Sequence, residues 1–325
     1  MNKSKFPTKR LCKLTGHNGP VQALTYSSHP STYILTGSTD KRIRLFNPSR
    51  ASPTSTGLIQ TYTGHGYDVA DLAVSNDNTA FLSCGGDKLV FVWDVATART
   101  TRRFEGHVGR VNAVAWGGEG DSVAVSGSFD ATVRLWDLKS KSYKPIMTFS
   151  EGKDSISSVE VRGPEVWSGS IDGRVRGYDV RMGRVLVDVI GYPITSLTPT
   201  KQSETLLLST LNSSLHLLDK STGSILKSYK SPTFKNETYR IRSTLGLNDA
   251  VALSGSEDGN VYVWDLVDGD VLHVLRHGEE IGAQSPSDKE GKRDVVSVVA
   301  FCEGRREWCS GGGDGQVVVW GVDGG

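Results

Sequence analysis

Ser83–Asp94, read SCGGDKLVFVWD, contains the unit that decides the fold. A short apolar run, Ala80–Ser83, meets the turn Gly85-Gly86-Asp87-Lys88, and a second run, LVFVW, leads to Trp93. Two apolar runs around a Gly/Asp turn predict a β-hairpin. Asp87 stands six residues before Trp93, and the same step recurs as Asp40/Phe46, Asp130/Trp136, Asp172/Tyr178, Asn212/Leu218, Asp258/Trp264 and Asp314/Trp320. The intervening segments RIRLF, TVRLW, RVRGY, SLHLL, NVYVW and QVVVW alternate with period two, as half-buried strands do.

Working outward, five of the copies carry an earlier strand whose apolar residues step by three and then two: Val21/Leu24/Tyr26, Val69/Leu72/Val74, Val111/Val114/Trp116, Ile156/Val159/Val161 and Val296/Val299/Phe301. The extra residue predicts a β-bulge. A fourth strand follows each hairpin, for example Leu58–Tyr62, Arg99–Phe104 and Val271–Leu275. Copies are spaced by 40 to 56 residues, around the period of a four-stranded propeller blade. The sequence therefore predicts an all-β, seven-bladed β-propeller of four-stranded antiparallel blades. Only five residues follow Trp320, too few for an outer strand, and the unmatched segment Arg10–Leu14 is expected to pair with the last blade and close the ring. Residues 1–9 are expected as a flexible tail and 10–325 as one domain. The polar stretch 278–294 is expected as an insertion between blades 6 and 7.

The totals agree with a folded domain. Of 325 residues 37% are hydrophobic, and 37 Lys+Arg against 36 Asp+Glu leave a net charge of +1, which calls for no nucleic acid or acidic membrane. The four cysteines, Cys12, Cys84, Cys302 and Cys309, form no metal or redox spacing, and the last two are expected as reduced thiols. No apolar stretch approaches a membrane span, and the basic start is no secretory signal, so an intracellular, soluble protein is expected.

On these residues the chain resembles the WD-repeat family. The segments TYTGHGYDVADLAVS, CGGDKLVFVWDVATAR, SGSIDGRVRGYDVRMGR, LLDKSTG and SGSEDGNVYVWDLVDG further resemble the mitogen-activated protein kinase organiser family. That resemblance implies a scaffold tied to kinase-cascade assembly and to the catalytic spliceosome, in the nucleus and cytoplasm. It implies a monomer within a larger complex of protein partners, with direct RNA contact left open. The WD-repeat resemblance also implies a structural role for the recurring Ser, His and Asp. His65, Ser83, Asp87 and Trp93, like His107, Ser126, Asp130 and Trp136, would form a chain of hydrogen bonds from Trp to Ser to His to Asp. Blade 1 offers His17, Thr36 and Asp40 with Phe46. Repetition argues against a hydrolase triad, because an enzyme needs one activated nucleophile. No catalytic residue, cofactor or metal is expected.

Blades 4 to 7 depart from this pattern. Lys153 and Tyr192 replace the His after Gly152 and Gly191, Leu208 and Asn212 replace Ser and Asp in blade 5, and blade 6 keeps Ser254, Asp258 and Trp264 without a Gly-His. Blade 5 is expected to be the softest. The basic clusters Lys41–Arg44, Arg99–Arg103, Arg174–Arg184 and Arg240–Arg242 are expected as solvated faces.

The turns and the Gly-His loops should emerge on one face. There Phe129, Ile171 and Leu211 would form an apolar arc, with Tyr67, Asp68 and Arg110 beside it, as a partner-binding hot spot. An alternative comes from Tyr178-Asp179-Val180-Arg181. It resembles the W-D-x-R ending that binds the adaptor of the cullin-4 ubiquitin ligase, which would make Arg181 the contact of a substrate receptor.

Overall fold

The computed structural model describes residues 6–52, 54–278 and 295–322. Their strands form seven four-stranded antiparallel sheets. Blade 1 runs Val21–Tyr26, Ile34–Ser38, Arg42–Ser52 and Ser55–Thr63 from axis to rim, and five further blades repeat that order between Val69 and Arg276. Blade 7 joins both ends of the chain: Val296–Cys302, Glu307–Gly312 and Val317–Gly321, with Lys9–Leu14 outermost. Lys9 lies opposite Gly321 and Leu14 opposite Val317. Every inner strand contacts the inner strands of both neighbouring blades, so the ring is closed.

Residues 6–9, expected as the end of a flexible tail, are packed against the ring, and residues 1–5 lie outside the described residues. Phe6 is buried among His273, Phe301 and Trp308, and Trp308 Nε1 donates to Pro7 O at 2.7 Å. A buried indole N–H requires an acceptor, and the chain ahead of the closing strand supplies it. The insertion expected over 278–294 lies outside the described residues beyond Gly278. Cys302 and Cys309 are buried, unbridged thiols.

The five predicted bulges sit near the start of their inner strands, where the register shifts at Val21/Ala23, Val69/Asp71, Val111/Ala113, Ile156/Ser158 and Val296/Val298, and blade 5 adds a sixth at Ile194/Ser196. Their use is visible in the side chain of the extra residue. Asn112 Nδ2 donates to Ile156 O at 2.8 Å, Ser157 Oγ to Ile194 O at 2.6 Å, Thr195 Oγ1 to Ile241 O at 2.8 Å and Ser297 Oγ to Val21 O at 2.5 Å. Each bond reaches from one blade to the inner strand of the next or, at Ile241, to the segment just before it. The bulge leaves one residue unpaired in its own sheet, and its polar side chain turns sideways to link neighbouring sheets. Apolar side chains fill the rest of the space between blades. Leu82, Val90 and Val92 of blade 2 pack with Val111, Val114 and Trp136 of blade 3. Burying one such side chain contributes about 1.5–3 kcal/mol.

Candidate partner-binding face

The residue before each turn Asp is clamped to the loop that enters the inner strand of its blade. Its N–H donates to a backbone carbonyl there: Thr39 to Pro20 at 3.0 Å, Gly86 to Asp68 at 3.2 Å, Phe129 to Arg110 at 2.9 Å and Ile171 to Ser155 at 2.9 Å. Leu211 bonds Pro193 at 2.9 Å, Glu257 bonds Lys235 at 3.0 Å and Gly313 bonds Val295 at 2.8 Å. Turn and entry loop therefore share one face around the ring. On it Tyr67 and Phe129 are each 62% exposed, whereas Ile171 and Leu211 are half-buried. Arg110 and Asp68 join blades 3 and 2 in an exposed ion pair of 2.9 Å. Val108, 73% exposed directly after His107, and exposed Tyr192 widen the apolar surface. Their place at or just after the His position was the signal that could have found them.

Beneath this face lie the tetrads. Trp93 Nε1 donates to Ser83 Oγ at 2.7 Å, His65 Nε2 meets the same oxygen at 2.7 Å, and His65 Nδ1 meets Asp87 at 2.5 Å. In blade 3 the corresponding Trp136, Ser126, His107 and Asp130 bonds are 2.8, 2.8 and 2.9 Å. Ser83 and Ser126 are fully buried, so neither hydroxyl can reach a substrate carbonyl. In blade 1 His17 bridges Asp40 at 3.0 Å and Thr36 at 2.8 Å, and Arg44 joins Asp40 at 2.7 Å.

Blade 7 contains a fourth such group that its sequence conceals. Trp320 Nε1 donates to Ser310 Oγ at 2.9 Å, His277 Nδ1 meets that oxygen at 2.8 Å, and His277 Nε2 stands 3.4 Å from Asp314. His277 directly follows the outer strand Val271–Arg276, the position a Gly-His occupies elsewhere, but no Gly precedes it.

One expectation is corrected. Arg176 does not belong to a solvated face: it is fully buried, and its guanidinium pairs with Asp172 at 2.5 Å, where the other blades place His beside Asp. Arg240 and Arg242 also turn inward, toward Ala70 and Asp71 of blade 2. Blade 5 lacks the tetrad, as Leu208 and Asn212 imply, and carries other polar bonds. Thr210 donates to Asn212 at 2.6 Å, and His216 bridges Ser214 at 2.9 Å and Ser228 at 2.8 Å within the blade. Leu206, Leu208 and Leu218 pack against Trp167 of blade 4 in place of the missing tetrad.

Burial lowers His17 and His107 below the usual 6.5, against the pull of Asp40 and Asp130. At Asp130 burial alone would raise the carboxyl, but hydrogen bonds from Thr132 and His107 outweigh it and hold it at about 2. Asp40 and Asp87 are lowered in the same sense. Both kinds of group make the unfolded chain bind more protons than the folded one. Stability should therefore fall as pH drops below 6.5 through the histidines, and fall again below 3.8 through the aspartates. Thermal melts followed by circular dichroism across that range check this, and a melting temperature that rises on acidification contradicts it.

Along the axis Arg242 of blade 6 reaches across to Asp71 of blade 2 at 2.5 Å and to Ala70 O at 2.8 Å. Arg240 contributes a longer bond to Ala70 O, and burial lowers its guanidinium to about 9. Below this bridge a cavity of about 1050 Å3 is lined by the later halves of the inner strands and the loops that follow them, so it opens on the opposite face. Burial lifts Glu160 in its wall to about 7. Arg181 is exposed at the mouth of that cavity, away from Tyr67 and Phe129.

A family model described as "WD domain, G-beta repeat" matches residues 8–47, 56–94, 98–137 and 242–265. Among curated proteins, the WD repeat domain-containing protein 83 of Rattus norvegicus is 43% identical over 277 residues, covering 85% of each chain. Its Dictyostelium discoideum homolog is 32% identical over 291 residues, 81% of this chain and 86% of that one. An uncharacterized WD repeat-containing protein of Schizosaccharomyces pombe is 42% identical over 247 residues, 76% of this chain and 80% of the relative.

Proposed function

The chain belongs to the WD-repeat family, and from that premise we propose that it is a non-catalytic interaction scaffold whose partner docks across blades 2 to 5 on the Gly-His face. One observation carries the placement. Exposed Tyr67, Val108 and Phe129 stand on turns and loops clamped to rigid strands, beside the Arg110–Asp68 pair. Large apolar and aromatic side chains pre-organised in this way, with an arginine at the edge, make a binding hot spot. The finer reading is a role in the nucleus and cytoplasm with components of the mitogen-activated protein kinase cascade and of the catalytic spliceosome. The resemblance of blades 2 to 6 to the kinase-organiser family supports it.

Phe129→Ala combined with Arg110→Glu should weaken partner capture by about a hundredfold or more, since two hot-spot contacts are lost. The melting temperature should barely move, because Phe129 is exposed and a surface ion pair contributes about 0–1 kcal/mol. Affinity purification from nuclear and cytoplasmic fractions, with mass spectrometry, reads the loss of spliceosomal and kinase-cascade components. Arg181→Ala, on the opposite face, is the control. If it alone abolishes capture, the docking site lies at the ligase-adaptor motif instead.

A further inference from the structure

The rim of blade 4 differs from every other rim. Outer strands are open sheet edges, which proteins protect with charges, bulges or short length. Among the described residues the outer strand of blade 3, Met147–Phe149, is only three residues long, and that of blade 2, Arg99–Phe104, carries three arginines. The outer strands of blades 1, 2, 5, 6 and 7 all pair with a register shift. Blade 4 ends on Arg184–Val189, RVLVDV, which pairs over its whole length without a shift and holds no Lys or Pro. Leu186 is 55%, Val187 47% and Val189 69% exposed. An unbroken edge that exposes Leu186, Val187 and Val189 between one positive and one negative charge is a template for a strand of complementary charge.

We propose that two copies of this chain form a two-fold symmetric dimer through that edge, the Arg184–Val189 strands pairing antiparallel about Leu186. The occupant is a second copy because the strand is complementary to itself. In this register Leu186 faces Leu186 of the second copy, Val185 faces Val187, and Arg184 faces Asp188 at both ends. Opposed charges and opposed branched residues are the favourable cross-strand pairs. The interface is isologous and closes at two copies.

Two further observations agree. Ile190 N–H donates inward to Gly173 O at 2.8 Å, and by strand alternation the N–H and C=O groups of Val185, Val187 and Val189 point outward, free to form the new ladder. The carboxylate of Asp188 lies against Gly223 of blade 5, where desolvation raises it, and it has neither hydrogen bond nor ion pair among the described residues. The second copy's Arg184 would supply the missing charge. Exposed Met182, two residues before the strand, and Ile225 and Leu226 of blade 5 widen the contact toward the roughly 1,000 Å2 that a stable interface needs. This dimer would replace the monomer that the resemblance implied, and it leaves the Gly-His face clear for the partner.

Sedimentation velocity of the full chain at rising concentration tests the proposal. The wild type should pass from monomer to dimer. Arg184→Glu and Asp188→Arg should each remain monomeric, because each places like charges opposite one another at both ends. Mixing the two variants should restore a one-to-one dimer, and the double variant should dimerise alone. Unchanged thermal melts establish that the single variants are folded. A wild type that stays monomeric at every concentration, a dimer indifferent to both substitutions, or a mixture that fails to pair would each overturn the proposal.

Discussion

A chain lacking residues 1–14 is expected to melt about 10 °C or more below the full protein, or to aggregate without a cooperative transition. The deletion removes the outer strand of blade 7, whose ladder runs from Lys9 opposite Gly321 to Leu14 opposite Val317. Leu14 is buried with Val21, Phe46, Val298 and Val317, so its loss opens the contact between blades 7 and 1. Phe6 leaves the cluster of Val296, Val299 and Trp308. Each of these two side chains contributes about 1.5–3 kcal/mol. Trp308 Nε1 loses Pro7 O as its acceptor, and an orphaned buried donor costs about 1–3 kcal/mol more. Arg10, stacked over Trp320 at 5.2 Å and bonded to the carbonyls of Arg276 and Gly278, goes as well. The strand Val317–Gly321 is then an exposed edge of buried valines, open to pairing between molecules. Scanning calorimetry with light scattering reads both effects. A synthetic peptide spanning residues 6–14 should raise the melting temperature of the truncated chain. An unchanged transition in the truncated chain would show that the ring does not depend on this closure.

The ring was legible because the step from turn Asp to large apolar residue marks a hairpin each time it occurs. The closing strand was legible as a remainder, one strand too many at the start and one too few at the end. Five of the bulges were legible too, from the change between steps of three and two. The sequence conceals whatever depends on meetings across the ring. Arg242 immediately precedes the inner strand of blade 6 and Asp71 lies on that of blade 2, and alternation tells which face a residue takes but not what it meets across the axis. His277 and Ser310 are separated by the whole insertion, and the missing Gly removes the usual marker. Arg176 looks like a surface charge because Val175 separates it from Arg174. Only the hairpin reveals that its side chain runs back along the strand to Asp172 inside the blade. On the candidate face the exposed Phe129 was read from its place before the turn Asp. Ile171 and Leu211 occupy the same place yet are half-buried, because burial there depends on neighbouring loops rather than on the repeat.

Replacing the tryptophan of one blade should separate packing from hydrogen bonding, because two blades share the ring but not the bond. Trp136 and Trp264 are both fully buried in equivalent positions. Trp136 Nε1 donates to Ser126 at 2.8 Å and so continues to His107 and Asp130, whereas Trp264 Nε1 has no partner among the described residues. In blade 6 the corresponding Ser254 donates to Gly255 O, and Asp258 is held by Tyr262 and Asn260 instead. Trp136→Ala should cost about 3–5 kcal/mol, from the cavity and the lost contact with Phe104 at 5.3 Å. The phenylalanine variants carry the comparison. Trp136→Phe removes less volume but leaves Ser126 without its donor, adding about 1–3 kcal/mol. Trp264→Phe leaves a similar space yet discards a buried N–H that was unsatisfied, which offsets part of the packing loss. Urea unfolding at constant slope should therefore place Trp264→Phe above Trp136→Phe by about 1 kcal/mol or more. If the two variants unfold at the same midpoint, the Ser126 bond contributes no net stability. The tetrad would then serve to orient the Gly-His loop rather than to hold the blade. If they separate as expected, each tetrad both stabilises its blade and fixes the loop above it, which is the footing that Tyr67, Val108 and Phe129 stand on.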